Sequence, residues 1–242
     1  MSAILLATLA TVLFLLASGL TFFADFPWLS HLLRGACTVL FPFLVVLLPR
    51  KKEKAKKEGK KDLSLLFLVP AFVGITFGLS LLFQWIGRYF GITLPTYRGR
   101  LLFLLFAHAL IPAVTEEFCF RGVVPTLLSP LGEKARIWGS AMLFALAHGS
   151  PIMMCYALLA GLFLGLVREY TGKPFLGMVF HFCNNAFCLV LMQYPKISPI
   201  WPMVTMTAVG LGLALWLGLK KPILLRDFFA PLQKKKETRT YD

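Results

Sequence analysis

The sequence predicts an all-α fold, a polytopic transmembrane helical bundle of about eight spans with a membrane-embedded reactive site. Three observations predict it. The 242 residues are 58% hydrophobic and 15% charged, whereas soluble domains run to about 45–50% apolar and about 25% charged. Several apolar runs approach the ~20 residues that a helix needs to cross the hydrocarbon core. The 25 Lys and Arg are gathered beside those runs, as the positive-inside rule leads one to expect. One membrane domain, 1–242, accounts for the chain, with a motif-bearing core at about 101–193, a basic cytoplasmic loop at 50–62 and a basic cytoplasmic tail at 220–242.

Taken in order, residues 4–24 form a first span; no basic segment precedes them and they are too long for the core of a cleaved signal peptide. Residues 27–48 read as a second, shaped by Pro27 and Pro42. Eight of the 25 basic residues follow between positions 50 and 61. The third span, 63–86, carries Gly74 and Gly78, where a neighbouring helix can come close. A polar connection over 87–100 leads to the fourth span, 101–120. Pro125, Pro130 and Gly132 then predict a break over 122–134, with a short re-entrant or interfacial piece.

Residues 135–148 are short for a spanning helix and end at Gly149-Ser150-Pro151. The sixth, seventh and eighth spans are 152–167, 175–193 and 199–219. Eight spans place both termini on one side. Inner segments then hold 20 of the 25 basic residues, which predicts cytoplasmic termini, and the compact loops and short length suit a prokaryotic plasma membrane. The net charge of +14 therefore belongs to topology and anionic lipid. No aromatic stacking pattern accompanies the basic runs, so nucleic acid is not an expected partner. The five cysteines form no CxxC pair. They read as small buried hydrophobes rather than a disulfide framework or zinc ribbon.

Charged groups beside hydrocarbon cost roughly 2.5–3.5 kcal/mol each on insertion scales and therefore tend to mark function. Glu116, Glu117 and Arg121 follow the uncharged run 101–114. On a helix Glu117 and Arg121 share a face, and Glu116 points about 100° away. Glu117 can thus neutralise Arg121 and leave Glu116 for a cavity; a structural ion cluster is the competing reading. Phe144 and His148 repeat the four-residue spacing, as do His181 and Asn185. Asn184 lies on a different face, suited to a backbone or loop partner. His31 and His108 read as structural. A carboxylate, two imidazoles and a carboxamide supply a base, its hydrogen-bond partners and oxyanion donors.

In this order, Glu116-Glu117-x-x-x-Arg121, Phe144-x-x-x-His148 and His181-x-x-x-Asn185 resemble the three motifs of the CPBP intramembrane proteases. That family includes the type II CAAX prenyl endopeptidases (the Ras-converting enzyme) and the bacterial Abi proteins. The resemblance covers about 101–190 and takes in Gly161-x-x-x-Gly165 and Tyr170-Thr-Gly-Lys-Pro174. It implies peptide-bond hydrolysis within the membrane. Glu116 is then the base that activates water, His148 helps to hold that water, and His181 and Asn185 stabilise the oxyanion. Glu117, Arg121 and Phe144 support the site. The implied partners are membrane lipid and a membrane-associated peptide or protein, prenylated or not.

The favoured reading requires no cofactor. A divalent metal such as zinc is the alternative, with Glu116, His148 and His181 as its three ligands. The chain has no HExxH, the spacing that sets two ligands and a base on one helix. Two other functions compete: a non-catalytic scaffold or immunity protein retaining the motifs, and a proton-coupled transporter using Glu116 and the histidines as a relay. Against the transporter stands the lack of paired broken helices in matching halves.

Overall fold

The structure is a computed structural model that describes residues 12, 63–91, 99–148, 151–193 and 198–233. The expected spans at 4–24 (apart from Val12) and 27–48, and the basic loop 50–62, lie outside the described residues. So do His31, Cys37 and the last nine residues of the tail.

Five helices are long and apolar enough to cross a membrane, and no strand occurs among the described residues. Helix α1 is Val69–Tyr89, entered through a 3-10 turn at Leu63–Leu68. Helix α2 runs over Leu101–Leu127, α4 over Pro151–Thr171, α5 over Phe175–Gln193 and α6 over Ile200–Lys220. The intervening α3, Glu133–Leu146, has 14 residues. At 1.5 Å per residue it reaches about 21 Å, short of a ~30 Å hydrocarbon core. The expected piece at 135–148 is therefore a helix, but one too short to span unaided. Of the six spans expected within the described residues, five are helices long and apolar enough to cross; the expected first and second lie outside those residues.

Helix α2 departs from expectation, and its prolines explain why. The helix was expected to break after Phe120; instead it continues to Leu127. Two π turns interrupt it, Leu105–Leu110 and Phe118–Val123. Each lies just before a proline near the start of the next α segment, Pro112 or Pro125. A proline removes one backbone donor and its ring crowds the carbonyl four residues back. Widening the preceding turn re-satisfies those groups without breaking the helix. The Glu pair sits between the two π turns, at the end of Ile111–Glu117. The chain turns only after Leu128, through Ser129–Leu131 and Gly132 at φ +91°.

Lipid gives helices little hydrophobic incentive to associate, so close packing has to hold them. Gly74 and Gly78 of α1 face Thr207 and Met203 of α6, and Gly210 of α6 lies against the backbone of Ala71. Helices α3 and α4 pack likewise, with Gly161 against Ala141 and Phe144 and Gly165 against Ile137. Phe72, Phe163, Phe180 and Phe228 join α1, α4, α5 and the helix Pro222–Gln233 in one aromatic core. Phe72 stacks on Phe163 at 4.9 Å and meets the edge of Phe180 at 5.5 Å. Such pairs contribute about 0.5–1.5 kcal/mol each beyond their burial.

Within the expected basic tail, Pro222–Gln233 form a further helix, α7. It buries Leu224 and Phe228, the latter against Phe163 and Tyr170 of α4, and turns Ile223 outward. Arg136, Arg168 and Glu169 form an ion cluster between α3 and α4. Trp85, Tyr89 and Trp201 are more than 70% exposed at one end of α1 and α6. Amphipathic rings in such positions suit a membrane–water boundary.

Candidate active site

Helix α2 carries two carboxylates into different surroundings. Glu117 is fully buried, and its Oε1 accepts a hydrogen bond from Arg121 Nη1 at 2.9 Å. This is the four-residue pair expected from the spacing. Arg121 is fully buried too; its Nη2 donates to the Gly161 carbonyl of α4 at 3.1 Å. The guanidinium also lies 4.2 Å from the centre of the Phe144 ring. A buried cation with a carboxylate, a carbonyl and an aromatic face around it is largely compensated for lost hydration.

The carboxylate of Glu117 has a second guest. His181 Nδ1 of α5 stands 3.1 Å from the same Oε1. A carboxylate paired with arginine only accepts hydrogen bonds, so the Nδ1 proton of His181 points at Glu117. The other nitrogen, Nε2, faces Glu116 Oε2 at 4.0 Å. Glu116 is 17% exposed. The spacing thus places the pair as found: Glu117 bonds Arg121, and Glu116 lies off that bond and partly exposed.

His148 is fixed by its own helix turn. Its Nδ1 lies 2.8 Å from the Phe144 carbonyl. A carbonyl accepts, so Nδ1 carries the proton and Nε2 is left as a lone-pair acceptor. The Phe144 ring touches both imidazoles, with centroids 4.7 Å from His148 and 5.8 Å from His181. Phe144 is thus the common wall of Arg121, His148 and His181. Asn185 lies one turn beyond His181 on α5, and its Oδ1 accepts from Asn184 Nδ2 at 3.3 Å. Asn184 takes a side-chain partner rather than the backbone or loop partner expected. Thr76 of α1 lies 2.6 Å from Asn184 Oδ1.

A chain of contacts therefore joins Glu116, Glu117, Arg121, Phe144, His148 and His181. Among the described residues no three His, Cys, Asp or Glu side chains gather as a group that could hold a metal ion. Of the expected ligand set, His148 and His181 each commit Nδ1 to an acceptor, the Phe144 carbonyl and Glu117, so Nε2 of both, with Glu116, are the atoms that would hold a metal. The cysteines at 119, 155, 183 and 188 are free thiols. Cys155 is exposed, unlike the buried position expected of it.

Three contributors escaped the sequence. Gly177 lies one turn before His181, and a side-chain carbon there would stand 2.8 Å from Glu117 Oε2. Its signal was the same four-residue spacing that singled out Asn185. Arg168 of α4, read only as the end of a span, donates from Nε to the Arg121 carbonyl at 3.1 Å. That carbonyl lies within the second π turn, where the regular ladder is broken. Thr76, the third, carried no signal at all.

Fold and site together define an integral membrane protein whose apolar helices enclose an ordered set of carboxylates and imidazoles. Residues 98–187 are similar to the family model described as type II CAAX prenyl endopeptidase Rce1-like. The matched stretch contains every site residue singled out above except Thr76, and it ends before α6. No curated protein and no solved structure matches the chain.

Proposed function

We propose that this protein is an intramembrane endopeptidase in which Glu116 activates the attacking water. One relationship carries the reading: Glu116 Oε2 and His181 Nε2 face each other at 4.0 Å, while the buried Glu117–Arg121 pair holds the other side of the imidazole. Four ångströms is too long for a direct hydrogen bond, and one water can bridge such a gap.

In the proposed reaction the water donates one hydrogen to Glu116 and the other to His148 Nε2, the acceptor left by the Phe144 bond. Glu116 takes the proton as the oxygen attacks the scissile carbonyl carbon. The resulting oxyanion accepts hydrogen bonds from the Asn185 carboxamide and from His181. His181 serves here only as an imidazolium, since its Nδ1 proton is committed to Glu117. Collapse breaks the C–N bond, and Glu116 returns its proton to the leaving amine. Water-derived oxygen ends in the new carboxylate. Every step uses groups of the chain itself.

The proposed substrate is a membrane-associated peptide of the CAAX type, and the proposed topology places both termini in the cytoplasm, on the strength of the Lys and Arg distribution. Purified protein in liposomes, given a farnesylated CAAX peptide and its unprenylated counterpart in 18O water, tests the reading by mass spectrometry. The expected result is release of the residues after the cysteine, with one 18O in the new carboxylate. An intact farnesylated peptide, beside cleavage by a known CAAX peptidase under the same conditions, contradicts it. Cleavage of both peptides removes the prenyl requirement and retains the peptidase.

A further inference from the structure

A part-buried polar chain, of which the proposed reaction uses only the end at Asn185, starts from Thr76 on α1. Thr76 is 4% exposed. Its hydroxyl lies 2.6 Å from Asn184 Oδ1, and Asn184 Nδ2 donates to Asn185 Oδ1 at 3.3 Å. The same hydroxyl lies 2.7 Å from the Phe72 carbonyl. A hydroxyl has one proton to give. Its direction sets the polarity of everything after it.

With the proton on the Phe72 carbonyl, the usual back-bond of a helical threonine, Thr76 offers Asn184 only a lone pair. The NH2 of Asn184 then turns to Thr76, its oxygen takes the NH2 of Asn185, and the Asn185 oxygen is left over. An oxygen there repels an oxyanion. With the proton on Asn184 Oδ1, the order reverses. Asn184 gives its NH2 to Asn185 Oδ1, and the Asn185 NH2 is left as a donor. The heavy atoms match the second: Asn184 turns Oδ1 to Thr76 and Nδ2 to Asn185 Oδ1.

We propose that Thr76 is a positioning residue for the reaction: through Asn184 it fixes the Asn185 carboxamide with its oxygen occupied and its NH2 available as the oxyanion donor. This rests on the proposed role of Asn185 and extends the site to α1, outside the stretch 98–187 that matches the family. The buried hydroxyl also ties α1 to α5 where α5 carries His181 and Asn185.

The sequence supplies an unusually clean test, because Asn184 and Asn185 are its only asparagines. Protein labelled with 15N at the asparagine side chain gives two NH2 signals, and Asn185→Asp identifies one by its loss. Thr76→Val keeps the shape and removes the hydroxyl; Thr76→Ser keeps the hydroxyl. The Asn185 NH2 signal is expected to shift in Thr76→Val and to return in Thr76→Ser. An Asn185 signal unmoved by Thr76→Val overturns the relay.

Kinetics with the farnesylated peptide supply the second arm. Removing an oxyanion donor outright costs about 10²–10³ in kcat, so disorienting one is expected to cost about tenfold, with KM within about twofold. Thr76→Ser is expected to restore the rate, and Thr76→Val to have no further effect in an Asn185→Ala background. Thr76→Val at the parental rate, with Asn185→Ala slowed, overturns the proposal. Asn185→Ala at the parental rate instead removes the oxyanion role of Asn185, and the NMR shift still decides the relay.

Discussion

Gly177 leaves Glu117 the room it occupies: a side-chain carbon at position 177 would stand 2.8 Å from Glu117 Oε2. That oxygen has no hydrogen-bond partner among the described residues. The glycine lets α5 come close enough for His181 to reach the Glu117–Arg121 pair. Gly177→Ala is therefore expected to push α5 away from α2. Overpacking of this kind costs about 1–3 kcal/mol, and a site displaced by an ångström loses about 10²-fold in rate. Thermal unfolding and peptide cleavage check the two effects. Gly161→Ala meets its neighbours at 3.2–3.3 Å and should be milder.

Arg121 is compensated on three sides, so removing its charge leaves Glu117 buried without a cation. Arg121→Met is expected to destabilise the protein by about 3–5 kcal/mol. The double variant Arg121→Met, Glu117→Gln should recover part of that loss, because the stranded charge is gone. A double-mutant cycle in detergent measures it; purely additive losses would show that the two side chains do not act as a pair.

Arg168 bonds at two points of its guanidinium, Nε to the Arg121 carbonyl and Nη1 to Glu169. Lysine has a single terminal amine and cannot serve both. Arg168→Lys is expected to cost about 1–3 kcal/mol, the range for leaving a buried acceptor unmade. Denaturant unfolding followed by tryptophan fluorescence reads the change. Hydrogen exchange should rise at residues 118–123, where the π turn loses its outside donor.

Much of this site was legible because a helix turns periodic spacing into proximity. Glu117–Arg121, Phe144–His148 and His181–Asn185 are each four apart, and each pair lies on one face or in direct contact. The pairing of Glu117 with Arg121, and a different bearing for Glu116, followed from the angle between adjacent positions. Pro125 misled, since a proline reads as a break and the π turn that absorbs it leaves no local mark. The bond between Thr76 and Asn184 joins residues 108 positions apart. Threonine in an apolar helix normally bonds its own backbone, so no pattern distinguished it. Arg168 read as a helix end because the carbonyl it serves is exposed only by the π turn.

The central claim is that Glu116, rather than its neighbour, takes the proton from water. The most direct measurement is the initial rate of farnesylated-peptide cleavage by Glu116→Gln in proteoliposomes, beside the parent protein and at matched unfolding temperature. The account predicts a loss of about 10²–10⁴-fold, the range for a general base, with the fold intact because Glu116 is not part of the buried ion pair. A Glu116→Gln rate within twofold of the parent contradicts it.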